Sequence, residues 1–116
     1  LQVIRYIEEH DLIGNAERRG AQLRTGLREI QKRHPIIGDV RGLGLMVGAE
    51  VVHADKSPAA AELDAVLEEL KNRGFIVGKN GIGRNVMAFQ PPLIITEDNI
   101  NDVLNAVELV LTEKGL

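Results

Sequence analysis

The sequence contains no cysteine and no tryptophan, and its only aromatic residues are Tyr6, Phe75 and Phe89. Without cysteine, disulfide bonds and thiolate-ligated metal sites are excluded. Because aromatic side chains are so few, the interior of the fold has to be built from Leu, Ile, Val and Ala. The 116 residues are enough for one small domain with a limited hydrophobic core.

Further absences bear on the partners and the location of the protein. No apolar run approaches the roughly 20 residues that a membrane-spanning helix needs, so we expect no membrane partner. The net charge of -3 argues against a nucleic-acid partner, which would need a basic surface. Residues 1–6 show neither a signal-peptide pattern nor an initiator methionine. They begin within a helical pattern, as a piece of a longer chain would, and we expect a cytoplasmic protein.

Apolar residues at helical spacing predict four helices. The first covers residues 1–10, and residues 11–15 interrupt it. The second runs from about 15 to 34, with an inner face of Ala16, Gly20, Leu23, Leu27 and Ile30, and is ended by Pro35.

The third and fourth helices carry recognisable end signals. The third covers residues 58–73, with Ser57 as a candidate N-cap and Gly74 as a left-handed C-terminal cap. The fourth begins after the N-cap Thr96. Because Asn99 stands where a capping box has Glu or Gln, we expect this cap to be only half built.

Three strands are predicted between these helices, at residues 45–52, 75–77 and 86–89. Residues 41–44 are predicted to form a turn, and residues 78–83 a flexible loop between antiparallel strands. Amphipathic helices need a sheet to cover. The predicted fold is therefore α+β, a two-layer sandwich whose small, mostly antiparallel three-stranded sheet is covered by helices on one face.

The segment Arg41-Gly42-Leu43-Gly44 allows two interpretations. It is either a tight turn, with glycines at positive φ and Arg41 paired with Asp39 or Glu50, or it places an arginine at the rim of an active site. The glycines at 42, 44 and 48 do not give GxGxxG, and no helix follows them. A dinucleotide-binding fingerprint is therefore rejected.

Other short patterns do not indicate a site. Gly78-Lys79-Asn80-Gly81 matches the GxxG of KH nucleic-acid-binding domains, but there the loop joins two helices, whereas here it joins predicted strands. The histidines, His10, His34 and His53, fall at separate element ends without metal-ligand spacing. We therefore expect an ordinary hairpin loop and no metal site.

The segment from Asn85 to Thr96 reads as a strand that is stopped by Pro91 and Pro92. Paired prolines cannot donate to a sheet ladder, and the first favours an extended conformation at Gln90. The corner is therefore rigid. Rigid strand ends can be purely structural, but they are also places where functional groups are held accurately.

Two segments in this order and at this separation resemble a known family. They are His34-Pro35-Ile36-Ile37-Gly38-Asp39-Val40-Arg41-Gly42-Leu43-Gly44-Leu45-Met46 and Asn85-Val86-Met87-Ala88-Phe89-Gln90-Pro91-Pro92-Leu93-Ile94-Ile95-Thr96. Across essentially the whole chain, the sequence resembles the C-terminal small domain of class III, pyridoxal-phosphate-dependent aminotransferases.

The resemblance implies that residues 1–116 form a small domain that packs on its own large domain and closes the substrate pocket. In that family the large domain supplies the cofactor lysine, the aspartate that pairs with the pyridine nitrogen and the phosphate-binding residues. Pyridoxal phosphate would thus be bound by the missing domain. We expect the isolated chain to be inactive, and its parent to be a homodimer that acts on amino acids, keto acids or amines.

The substrate-binding residues that the resemblance implies are Arg41, Gly42, Arg84, Ala88, Pro91 and Pro92. One position departs from the family pattern N-V-x-R-x-x-P-P-L, in which the arginine pairs with the substrate α-carboxylate. That position is Ala88 here. Either Arg84 or a cation of the missing domain takes this role, or the substrate is not anchored there, which favours an amine or ω-amino acid donor.

An alternative is a stand-alone, non-catalytic α+β module that binds or regulates a partner. A domain removed from a larger protein should instead expose apolar surface, for which Val3, Ile4 and Ile7 are the best candidates. The sequence does not separate transamination from racemisation or elimination on the same cofactor.

Overall fold

The computed structural model describes residues 11–91 and 95–116. Three helices alternate with two pairs of strands: α1 Leu12–Arg33, β1 Ile37–Leu43, β2 Met46–Val51, α2 Ala60–Asn72, β3 Gly78–Asn80, β4 Val86–Phe89 and α3 Glu97–Glu113. The predicted helix at residues 1–10, with its apolar residues Val3, Ile4 and Ile7, lies outside the described residues, and so does Pro92.

The four strands form one sheet in the order β1-β2-β4-β3, and every neighbouring pair is antiparallel. The helices pack against one face of this sheet, which confirms the predicted α+β two-layer arrangement. The sheet has one strand more than predicted. The additional strand is β1, which includes Arg41, Gly42 and Leu43. The chain reverses at Gly44, where φ is 56°, so the predicted turn at 41–44 is wrong for its first three residues.

The buried face of the sheet is made by alternate residues of the two central strands. On β2 these are Val47, Ala49 and Val51, and on β4 they are Met87 and Phe89. They meet aliphatic residues of all three helices: Leu23, Leu27, Ile30, Leu63, Val66, Leu70, Ile100, Val107, Val110 and Leu111. The core is therefore aliphatic, as the scarcity of aromatic residues predicts.

Helix α1 begins at Leu12, directly after Asp11 with its left-handed backbone at φ 49°, so the interruption predicted at residues 11–15 is wrong for residues 12–15. The Asn15 N–H donates to the Asp11 carbonyl oxygen at 2.9 Å, and this helical bond spans Gly14 without a break. The predicted inner face is confirmed, since its residues are all buried: Ala16, Gly20, Leu23, Leu27 and Ile30. Gly20 allows α1 to lie against the β1–β2 turn, because a Cβ there would stand 1.7 Å from the Gly44 carbonyl oxygen.

Helix α2 begins two residues later than predicted, with Ala59 rather than Ser57 at the N-cap position. The Ser57 hydroxyl instead donates to the Asp55 carboxylate at 2.6 Å, which makes a local turn. Pro58 lies in an isolated bridge to Val52 and not in the first helical turn. The left-handed cap at Gly74 is confirmed, with φ at 92°.

The strand predicted at residues 75–77 is also displaced, because the observed strand β3 is Gly78–Asn80. The Phe75 N–H donates to the Leu70 carbonyl oxygen at 2.8 Å, so the chain is still closing helix α2 at this point. Sheet pairing starts only after that bond. Three residues predicted as flexible loop therefore belong to the sheet.

Helix α3 begins with a complete capping box. The Asn99 N–H donates to the Thr96 hydroxyl oxygen at 3.2 Å, and the Thr96 N–H donates to the Asn99 side-chain oxygen at 3.3 Å. The prediction of a half-built cap is wrong, because an asparagine oxygen accepts this bond as a Glu or Gln oxygen does.

Candidate functional site

A row of residues crosses the sheet on the face opposite the helices. Arg41 on β1 pairs with Gly48 on β2, Gly48 pairs with Ala88 on β4, and Ala88 pairs with Gly78 on β3. Each alternates along its strand with buried residues or ends it, so the side chains of the row lie away from the core. Two of the four residues are glycines, and this leaves a bare strip beside Arg41.

This strip is part of a shallow groove of about 580 Å³, here called the sheet groove. Strand and hairpin residues alone line it: Arg41, Gly42, Leu43, Met46, Val47, Gly48, Asn80, Gly81, Val86, Ala88, Phe89 and Gln90. Three of the six predicted site residues therefore meet in one place, namely Arg41, Gly42 and Ala88. Gly42 also has a structural reason, since a Cβ there would lie 2.3 Å from the Met46 carbonyl oxygen.

Arg41 is the charged residue of the sheet groove. Its guanidinium Nη1 donates to the Asp39 carboxylate at 2.7 Å and lies 3.5 Å from the Glu50 carboxylate. The Asp39 hydrogen bond and the two negative charges raise the pKa of Arg41 above its ordinary value. The ion pairs expected for a structural role are thus present, and the guanidinium stays protonated and exposed at the groove.

Pro91 lies elsewhere. It lines a second cleft of about 390 Å³ between the segment 74–77, the end of β4 and the first turns of α3. Phe89 and Gln90 line both clefts and connect them. The predicted rigid corner therefore begins where the two clefts meet.

Arg84 does not line the sheet groove with Ala88. It lies in the turn between β3 and β4 with a left-handed backbone, at φ 53°, and its side chain is exposed. It precedes the start of β4 at Val86 by two residues, whereas Ala88 is the third residue of that strand. The structure thus separates Arg84 from Ala88 although the two are near neighbours in sequence.

Asn85 is the one buried polar residue among those described, with 5% of its surface exposed, and no sequence pattern predicts its role. Its side-chain amide donates to the Val51 carbonyl oxygen at 2.9 Å, and its own carbonyl oxygen accepts from the Val51 N–H at 2.7 Å. The Ala59 N–H donates to the same Val51 oxygen at 3.0 Å. Asn85 thus ties the start of β4 to the end of β2 and the start of α2.

The sheet groove does not fit the cofactor that the sequence resemblance implies. A pyridoxal phosphate site needs a lysine for covalent attachment, and no lysine lines this groove. Among the described residues, Lys32 pairs with Glu29 at 3.0 Å and Lys79 with Asp64 at 2.6 Å. Groove residues of this chain can therefore face a substrate, but they do not supply the attachment point.

Within residues 11–91 and 95–116, no three His, Asp or Glu side chains come together as metal ligands would. No helix in the same ranges is long and apolar enough to cross a membrane.

Comparison with known proteins gives the family. The model of the aminotransferase class-III family matches residues 1–111. The chain belongs to this family. Among curated class III relatives, it is 36% identical over 115 residues to the mitochondrial alanine–glyoxylate aminotransferase 2 homolog 2 of Arabidopsis thaliana, a match that covers 97% of this chain and 24% of the relative.

Solved structures of related proteins superpose closely on the chain. A phospholyase from Arthrobacter, in complex with phosphoethanolamine, matches with a TM-score of 0.91 and 30% identity over 95% of this chain and 26% of its own. A Bacillus anthracis aminotransferase matches with a TM-score of 0.87 and 32% identity over 94% and 26%. The chain thus spans about a quarter of the length of these relatives.

Proposed function

We propose that this chain is the C-terminal small domain of a pyridoxal-phosphate-dependent class III enzyme and forms one wall of its substrate pocket. The observation that supports this proposal is the sheet groove, in which Arg41, Gly42 and Ala88 meet on the face of the sheet opposite the helices. The chain spans about a quarter of the length of its relatives, and this supports a domain that works together with a larger part of the same enzyme.

The roles of the larger part and of this chain follow from the side chains that line the sheet groove. When bound in the larger part, the cofactor supplies the electron sink, and the groove supplies orientation and shape. We propose that the enzyme transfers an amino group between an amino acid or amine and a keto acid. We also propose a homodimer in the cytoplasm, as expected from the sequence, and sedimentation and cell fractionation of the full-length protein test these two points.

The substrate preference depends on position 88. An alanine cannot form the bidentate pair by which an arginine holds a carboxylate. Different substrates within the family are compatible with this, since one relative is named for alanine and glyoxylate and another is in complex with phosphoethanolamine. We propose that the substrate is an amine or ω-amino acid whose anchoring does not depend on residue 88.

The test compares the full-length protein with the 116-residue chain. We expect the full-length protein to show the absorbance of bound pyridoxal phosphate and to transfer an amino group to a keto acid, and the short chain to do neither. A native protein of the size of this chain, detected in its source cell by antibody, would instead support a non-catalytic binding module.

A substitution tests the role assigned to position 88. In the full-length enzyme, Ala88→Arg should lower the KM for substrates that carry an α-carboxylate, because it adds a bidentate partner. An unchanged KM would show that this position does not face the substrate carboxylate.

A further inference from the structure

The row across the sheet places one cation of this chain near the position of Ala88. Arg41 and Ala88 lie in one row with Gly48 between them. Strands are about 4.8 Å apart, so the two Cα atoms are separated by roughly 10 Å. Because Gly48 has no side chain, nothing in this row stands between the arginine and the alanine.

Arg84 is excluded as that cation by its position. Arg84 lies before the start of β4, in the β3–β4 turn, and does not line the sheet groove. Arg41 lines the same groove as Ala88 and Gln90. Of the arginines that the structure describes, Arg41 is the one that lines the groove together with Ala88.

We propose that Arg41 binds the anionic end of the substrate, in place of an arginine at position 88. The ligand class is an amine that carries a carboxylate, sulfonate or phosphate group at the end away from the amino group. This inference rests on the proposed function, because it needs a substrate in the sheet groove.

The ion pairs of Arg41 are compatible with this role. Asp39 and Glu50 both contact the same guanidinium nitrogen, Nη1, and the side chains of Arg41 and Asp39 are 61% and 58% exposed. Exposed pairs of this kind are weak and are readily exchanged. A planar guanidinium has five donors, so it can keep Asp39 while it donates to a second anion.

The experiment uses the full-length protein and matched pairs of amines: β-alanine with propylamine, and taurine or phosphoethanolamine with ethylamine. Arg41→Gln keeps polar atoms near Asp39 but removes the charge. We expect it to raise the KM for the anionic member about tenfold to a hundredfold, as the loss of a charged hydrogen bond predicts, and to leave the neutral member within about twofold. Calorimetric titration with β-alanine gives a second readout, in which Kd should rise equally.

Two further variants separate binding from structure. Arg41→Gln combined with Ala88→Arg should restore the affinity for the anionic member, because the new guanidinium reaches the same strip. Arg18→Ala is the matched control, since Arg18 forms an exposed ion pair with Asp11 at 3.2 Å on α1, outside the groove. It should leave the KM for both members unchanged.

The outcomes distinguish the two proposals. Full-length protein that takes an amino group from no member of any pair contradicts the proposed function itself. Protein that uses these amines, but whose KM for both members changes equally in Arg41→Gln, or does not change, overturns the role of Arg41 alone. If Arg41→Gln lowers Tm and Ala88→Arg does not restore the affinity for the anionic member, Arg41 would likewise have a structural role.

Discussion

Asn85 and Val51 are joined by two hydrogen bonds, one through the Asn85 side chain at 2.9 Å and one through its carbonyl oxygen at 2.7 Å. This pair fixes where β4 begins, and so where Ala88 lies three residues later. The register of the sheet groove thus depends on a buried amide outside the groove.

Replacement of this amide should destabilise the fold. Asn85→Ala removes a buried hydrogen bond and leaves a small void, so we expect a loss of about 1–2 kcal/mol in the free energy of unfolding. Urea denaturation measures it. Asn105→Ala, at an exposed position of α3, is the control and should change stability by less than about 0.5 kcal/mol. Equal effects of the two substitutions would contradict the role of Asn85.

The contact between Gly20 and the β1–β2 turn should not tolerate a methyl group. In Gly20→Ala the new Cβ would meet the Gly44 carbonyl oxygen, a backbone atom. We expect a loss of about 1–3 kcal/mol, although alanine is better than glycine in a helix by roughly 1 kcal/mol. Thermal unfolding measures this loss.

The control lies in the same helix. In Gly14→Ala the new Cβ would meet only the Asp11 carboxylate, a side chain that can rotate away. Here the helix preference for alanine should dominate and raise Tm. If Gly20→Ala were as stable as Gly14→Ala, α1 would not pack on the turn as closely as described.

The ion pair between α1 and α3 should weaken in acid. Arg33 donates to the Glu108 carboxylate at 2.5 and 2.8 Å, and this hydrogen bonding lowers the pKa of Glu108 below its ordinary value of 4.5. A lowered pKa adds stability at pH above 4.5, and this contribution is lost as pH falls through the folded-state pKa.

Glu108→Gln should therefore make stability less dependent on pH below about 4.5, as measured by urea unfolding at several acidic pH values. Glu17→Gln, at an exposed position of α1, serves as control and should keep the wild-type pH dependence. If Glu108→Gln and Glu17→Gln show the same pH dependence of stability, the pair of Arg33 and Glu108 contributes nothing to the acid sensitivity of the fold.

Exposed apolar side chains of the β1–β2 hairpin should promote self-association of the isolated chain. Leu43 and Met46 face each other across the two strands and are 86% and 64% exposed. We expect the purified chain to bind a hydrophobic dye or to self-associate, and the double variant Leu43→Ser/Met46→Ser to reduce both.

The matched control is Leu109→Ser, which changes a leucine on α3 that is 49% exposed and lies away from the hairpin. It should leave dye binding close to wild type. A strictly monomeric chain that binds no dye would argue for a self-sufficient domain, as the alternative interpretation of the sequence expects.

Local signals predicted the helices well and the strands less well. Apolar residues at helical spacing identified the inner face of α1, and Gly74 marked the end of α2 correctly. The turn predicted at Arg41 was wrong because Gly42 is needed for close approach of β1 to β2, not for a reversal. Strand β3 was displaced because a backbone bond from Phe75 to Leu70 prolongs the helix end.

The sequence by itself determined the aliphatic core, the α+β class and the family, because the core follows from composition, and the class and the family follow from periodicity and two long motifs in the residue order. Only the tertiary structure decided which residues share a surface. Sheet register brings Arg41 beside Ala88 across 47 positions of sequence and keeps Arg84 away, although it is four residues from Ala88. The alternating apolar pattern decides which face of each strand is buried, but contacts between distant residues, such as those of Asn85 and Val51, decide which residues stand opposite one another.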